Sequence, residues 1–175
     1  MNSNFDAALQ HVLKSEGGFV NHPADPGGMT NLGVTKRAWE QYVGHEVDEA
    51  TMRGLTPEKV KPFYKAMYWD KINGDALPDG LDYCVFDAAV NMGIHRASVM
   101  LQLCLGLKPD GIIGQQTLGL IKQEDPAKLI DEYSDRRSAA YQEISTFPIF
   151  GKGWIRRVNS VETIAKAMQS GSSGS

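Results

Sequence analysis

Residues 5–35 read FDAALQHVLKSEGGFVNHPADPGGMTNLGVT, and the fold follows from the change of character at Glu16. Phe5, Ala8, Leu9, Val12 and Leu13 fall at i, i+3, i+4, i+7 and i+8, the apolar stripe of an amphipathic helix. Gly17–Gly18 should end that helix, because glycine takes the left-handed C-terminal conformation without steric cost. The segment that follows, residues 19–34, is rich in Pro, Gly, Asn and Asp, which predicts a structured loop or a short hairpin.

Outward from this stretch the helical period returns. Thr35 predicts the N-cap of a helix through Val43, and Thr56–Pro57 a cap and N1 proline for a helix reaching Trp69, kinked at Pro62. Leu81, Cys84, Val85, Ala88, Ala89 and Met92 give a strongly apolar helix closed by Gly93, and residues 95–105 give another closed by Gly106. These two should form the central core. Pro109–Gly114 reads as a turn into a helix near 115–122, and Asp125–Pro126 caps a long helix that turns Leu129, Ile130, Tyr133, Ala140, Tyr141 and Ile144 inward. Trp154, Val158, Val161, Ile164, Ala165 and Met168 mark a last helix, and residues 169–175 have linker composition. The fold expected is mainly α, with at most a small β-hairpin near residues 19–35.

Composition narrows the function classes. Of 175 residues 42% are hydrophobic and 22% charged, the balance of a soluble globular protein large enough to bury a core without metals or disulfides. The net charge of −3 lacks the basic face of a nucleic-acid binder, and a helix-turn-helix drawn through residues 95–121 would have Lys108 as its one positive residue after Arg96. No nucleic-acid partner is expected. Apolar runs are only a few residues long, so neither a membrane span nor a secretory segment is predicted, and synthesis in the cytoplasm is expected without stable membrane association. Cys84 and Cys104 have apolar neighbours and no ligand spacing, the pattern of buried thiols. Asp70, Asp75, Asp79, Asp82 and Asp87 crowd one stretch but lack EF-hand spacing, and are expected to form a solvated acidic face with helix caps. No metal or cofactor is called for.

Chemistry concentrates in the loop after the first helix. A general acid for glycoside cleavage must hold its proton near neutral pH, and Glu16 sits at the negative end of a helix dipole, where burial against a residue such as Phe19 would favour the neutral form. Glycoside hydrolysis also needs a second group on the other sugar face. Asp25 is the nearest candidate, with Thr30 able to share the water; His22 is an alternative base, and Asn21 or Asn31 can orient substrate. On the residues alone, Glu16 reads first as a frayed helix end and the Asp-Pro-Gly-Gly stretch as a plain turn. Trp39, Tyr42, Tyr64, Tyr68 and Trp69 are stacking faces for sugar rings or core aromatics, with Tyr68 and Trp69 singled out as substrate contacts. Asp87 and Asn91 lie one helical turn apart, so that Asn91 is a further candidate for a polar head in a cleft.

The string Glu16-Gly-Gly-Phe-Val-Asn-His-Pro-Ala-Asp-Pro-Gly-Gly-Met-Thr-Asn-Leu-Gly-Val-Thr35 closely resembles the signature of glycoside hydrolase family 108, the N-acetylmuramidases found largely among phage endolysins. The resemblance continues through Tyr68-Trp69-Asp70 and Phe86-Asp87-Ala88-Ala89-Val90-Asn91-Met92-Gly93. Leu101-Gln102 and Asp110–Gly114 with Thr117-Leu118 look like the C-terminal peptidoglycan-binding region of that family. It implies a lysozyme-like helical fold, Glu16 as the catalytic acid, and the glycan strand of peptidoglycan as substrate. Residues 1–90 would be the catalytic region, with 91–168 a helical peptidoglycan-binding region packed on it as one compact unit and 169–175 a flexible tail. Phage lysozymes often place Glu, eight residues, Asp or Cys, five residues, then Thr. Here Glu16 and Asp25 keep the first spacing, but Thr30 follows after four residues and Asn31 occupies the fifth, so either holds the water. The reading implies a monomer that reaches the periplasm or wall through a holin-type pore or a secretion system. A non-catalytic peptidoglycan-binding module is the alternative, and it leaves the Glu16–Thr35 loop without purpose.

Overall fold

A computed structural model describes residues 3–21 and 28–173 of the chain. Among the described residues are nine α-helices and one three-stranded antiparallel sheet, so the protein is mainly α, as the helical period predicts. The chain forms two compact units, Asp6–Met67 and Met1–Phe5 with Tyr68–Ser175.

In the chain up to Met67, helix α1 (Ser3–Glu16) is followed by β1 (Val20–Asn21), β2 (Met29–Asn31), β3 (Val34–Thr35), α2 (Lys36–Val43), α3 (Glu49–Arg53) and α4 (Pro57–Tyr64). The caps read from sequence are made: Thr35 Oγ1 accepts from the Ala38 amide at 3.0 Å, and Thr56 Oγ1 from the Lys59 amide at 3.2 Å. Helix α3 has five residues, too few for a period to register, and is started by Asp48, whose Oδ1 accepts from the Thr51 amide at 2.8 Å. Pro62 lacks the N–H that would bond Glu58, and the helix opens three residues later into a π-helical stretch, Lys65–Trp69. Trp39, Tyr42 and Phe63 pack as a triangle with ring centroids 5.4–5.9 Å apart, and Tyr64 stands edge-on to Phe63 at 5.3 Å. This aromatic group is the heart of the unit.

The second unit is built around α5 (Leu81–Met92), packed on α6 (Ile94–Cys104), α8 (Pro126–Gln142) and α9 (Phe147–Ser173), with α7 (Gln115–Ile121) between α6 and α8 in the chain. Every residue of α5 from Leu81 to Ala89 is buried, and apart from Asp82 and Asp87 this stretch is apolar on all sides. Gln102, itself buried, clamps the turn before α7: its Oε1 accepts from the Asp110 and Gly111 amides, and its Nε2 donates to Asp110 Oδ1 and the Ile112 carbonyl. Helix α9 starts at Phe147, earlier than the apolar stripe from Trp154 predicts. Pro148 sits in its first turn, where the missing N–H costs nothing, and the Phe147 ring lies where a Gly151 side chain would be. The same helix runs on through Ser173.

Two carboxylates depart from the expected solvated acidic face: Asp82 is 2% exposed and Asp87 0%. Asp87 is held by Arg137 Nη1 at 2.7 Å and Arg157 Nη2 at 2.9 Å. Arg137 also donates to the Tyr141 hydroxyl at 3.0 Å, and that hydroxyl donates to Asn91 Oδ1. The two arginines lie 50 and 70 residues from Asp87 in sequence, beyond the reach of any local pattern. Cys84 is buried and Cys104 half-buried; both are free thiols, raised in pKa by burial.

Asp82 sits at the start of α5, accepting from the Tyr83 amide at 2.7 Å, the Gly80 amide at 3.0 Å and Asn4 Nδ2 at 3.1 Å. Burial outweighs these bonds and pushes its carboxyl from 3.8 up to about 6. The folded state therefore holds this proton more tightly than the unfolded chain. Its stabilising contribution is complete below pH 3.8 and is lost as pH rises through 6. Asp82→Asn, which mimics the protonated form, should gain in thermal stability relative to wild type between pH 4.5 and 7.5, by on the order of 2–3 kcal/mol. Melting curves at the two pH values check this, and a difference that does not change with pH contradicts it.

Candidate active site

Glu16 is the last residue of α1 and is half-buried. Gly17 follows at φ +76°, the left-handed conformation that ends the helix as the Gly-Gly pair predicts. The chain then enters β1, whose Val20 pairs with Thr30 and Asn21 with Met29. Strands β2 and β3 are joined by the two-residue turn Leu32–Gly33, with φ of +52° and +78°, the sign pattern of a type I′ hairpin.

That turn lies against Glu16. A Cβ built on Gly33 would stand 2.8 Å from Glu16 Cγ, 2.9 Å from Glu16 Cβ and 2.7 Å from the Tyr64 hydroxyl oxygen. Only glycine permits both the positive φ and the approach. Tyr64, 1% exposed at the end of α4, donates its hydroxyl to the Leu32 carbonyl at 2.6 Å. Three separate elements, α1, the hairpin turn and α4, thus meet at the stem of the carboxylate.

The two candidates for holding water part company in the hairpin. Asn31 and Val34 are register partners, share one face and are both buried; Asn31 Nδ2 donates to the Met52 carbonyl at 2.8 Å and to that of Arg53 at 3.5 Å. Its amide nitrogen thereby ties the hairpin to α3. Thr30 turns to the other face with Val20 and Thr35 and is half-buried. Phe19 lies under the Arg53 guanidinium, 4.1 Å from the ring centroid. His22 and Asp25 fall outside the described residues.

The remaining candidates belong to the second unit. Tyr68 is half-buried. Trp69 is 1% exposed, packed on Phe5 and Phe86 with centroids 5.3 Å away, and donates its Nε1 to Asp75 Oδ1 at 2.8 Å. Its faces are used in the core. Asn91 is exposed at the end of α5, with its carbonyl oxygen engaged by Arg137 and Tyr141. Gly33 and the hydroxyl of Tyr64 escape a sequence reading; the only local signal is a glycine at the second place of a two-residue turn between short apolar runs. Among the described residues no group of three or more His, Cys, Asp or Glu side chains is placed to hold a metal ion.

Residues 9–93 match the family described as Glycosyl hydrolase 108, and residues 96–159 match the Predicted Peptidoglycan domain. Among solved structures the chain is similar to that titled "Structure of Brucella abortus SagA", with 39% identity, a TM-score of 0.86 and 97% of each chain covered. No curated protein matches the chain.

Proposed function

We propose, from the premise that this chain belongs to the glycosyl hydrolase 108 family, that it is an N-acetylmuramidase. It is a glycoside hydrolase acting on peptidoglycan, and the bond proposed is the β-1,4 link on the N-acetylmuramic acid side. Glu16 gives its proton to the leaving oxygen. Asp25 takes a proton from water on the opposite sugar face, and Thr30 steadies that water. The single observation that carries this reading is the seating of the Glu16 side-chain stem, at a helix end, against Gly33, an approach that no other residue type at position 33 permits.

If Asp25 acts on a water and not on the sugar itself, the enzyme inverts, and its two carboxyl groups stand about 6.5–9.5 Å apart, not the roughly 5–5.5 Å of a direct nucleophile. The site of action proposed is the cell wall, reached through the periplasm. No described helix is long and apolar enough to cross a membrane.

The expected result is clearing of outer-membrane-permeabilised Gram-negative cells, with the α-anomer appearing first when the products of purified glycan strands are followed by NMR. A β-anomer first would mean retention and would recast Asp25, or another carboxylate, as the nucleophile. Binding to sacculi with no clearing and no products would favour the non-catalytic module.

A further inference from the structure

We propose that Tyr64 is a positioning residue for Glu16, acting by holding the Leu32–Gly33 turn in a conformation that the turn does not hold by itself. The proposal rests on Glu16 being the catalytic acid. Leu32 is a branched apolar residue at φ +52°, a region that side chains other than Asn, Asp or Gly enter at a cost. Type I′ turns are built best from Asn-Gly; Leu-Gly supplies the second residue and not the first. A strained residue of this kind persists only where its surroundings over-determine it. Here the constraint is the 2.6 Å hydrogen bond from the buried Tyr64 hydroxyl to the Leu32 carbonyl.

The consequence passes directly to Glu16. Gly33, the next residue, approaches Glu16 Cβ and Cγ so closely that no methyl group fits between them, and the same vacant Cβ position faces the Tyr64 oxygen. Glu16 sits at a helix end, where backbone groups lack intrahelical partners and the last turn frays most readily. A turn pressed on its stem limits the rotamers open to the carboxylate. The Tyr64 ring has a separate task, packing edge-on against Phe63, so the hydroxyl can be removed without removing the ring. Tyr64 also stands at the last residue of α4, immediately before the π-helical stretch. π-Helical turns inside or beside α-helices are frequent at functional sites.

Three variants test the proposal, with steady-state kinetics on solubilised glycan strands and melting temperature measured for each. Tyr64→Phe should lower kcat about tenfold with KM little changed, since misplacement of a reacting group acts on the chemical step. Leu32→Asn added to Tyr64→Phe should restore most of the lost kcat, because Asn-Gly adopts the turn unaided. Gly33→Ala should lose more than tenfold, and Leu32→Asn should not rescue it. A kcat for Tyr64→Phe within twofold of wild type, beside an inactive Glu16→Gln, would overturn the proposal and leave the acid assignment standing. So would a loss that Leu32→Asn leaves unrepaired, which would show that the hydroxyl does not act through the turn. An active Glu16→Gln would overturn both the acid assignment and this inference.

Discussion

Replacing Glu16 with Gln is expected to remove lytic activity while leaving the fold in place. The substitution keeps the two methylenes that lie against Gly33, so the packing at the end of α1 survives. What it removes is a dissociable proton. A leaving sugar oxygen then departs without protonation, and general acid catalysis is typically worth about 10²–10⁴-fold. The measurement is the clearing rate of permeabilised Gram-negative cells, with melting temperature as the control for folding. Residual activity above about a tenth of wild type would move the acid to another residue.

The second large effect is expected at Asp25. If its carboxylate activates the water, Asp25→Asn loses activity on the same scale as Glu16→Gln, about 10²–10⁴-fold. Thr30→Ala should cost less, because a hydroxyl that orients the water is more easily replaced by another polar group. Asn31→Ala is expected to act differently from both. Its amide ties the hairpin to the Met52 carbonyl, so the loss should be read first in melting temperature. Full activity in Asp25→Asn would hand the base to His22, and a matching His22→Ala measurement decides between them.

The helices were readable because their signals are local. The stripe from Phe5 to Leu13, the Gly17 stop, and the caps at Thr35, Thr56 and Asp125 each lie within a few residues of what they control. Asp87 shows where such reading fails. Its neighbours Asp75, Asp79 and Asp82 suggest a wet acidic face, whereas its charge is met by Arg137 and Arg157 from helices formed much later in the chain. Asn31 has a contact that no local pattern gives, since a side-chain amide able to orient a ligand is equally able to satisfy a distant carbonyl, here that of Met52. Trp69 was an open choice between sugar platform and core, and its contacts with Phe5 and Phe86 come from tertiary packing. The site is split in the same way: Glu16 is marked by its place at a helix end, but the turn and hydroxyl against it come from residues 16 to 48 positions later.

The most direct test is the identity of the new reducing ends. Purified sacculi digested with the wild-type protein and labelled with borohydride should yield labelled muramic acid, with no labelled product above background from Glu16→Gln. Labelled glucosamine, or new ends formed equally by Glu16→Gln, would contradict cleavage of the muramic acid bond by a Glu16 general acid.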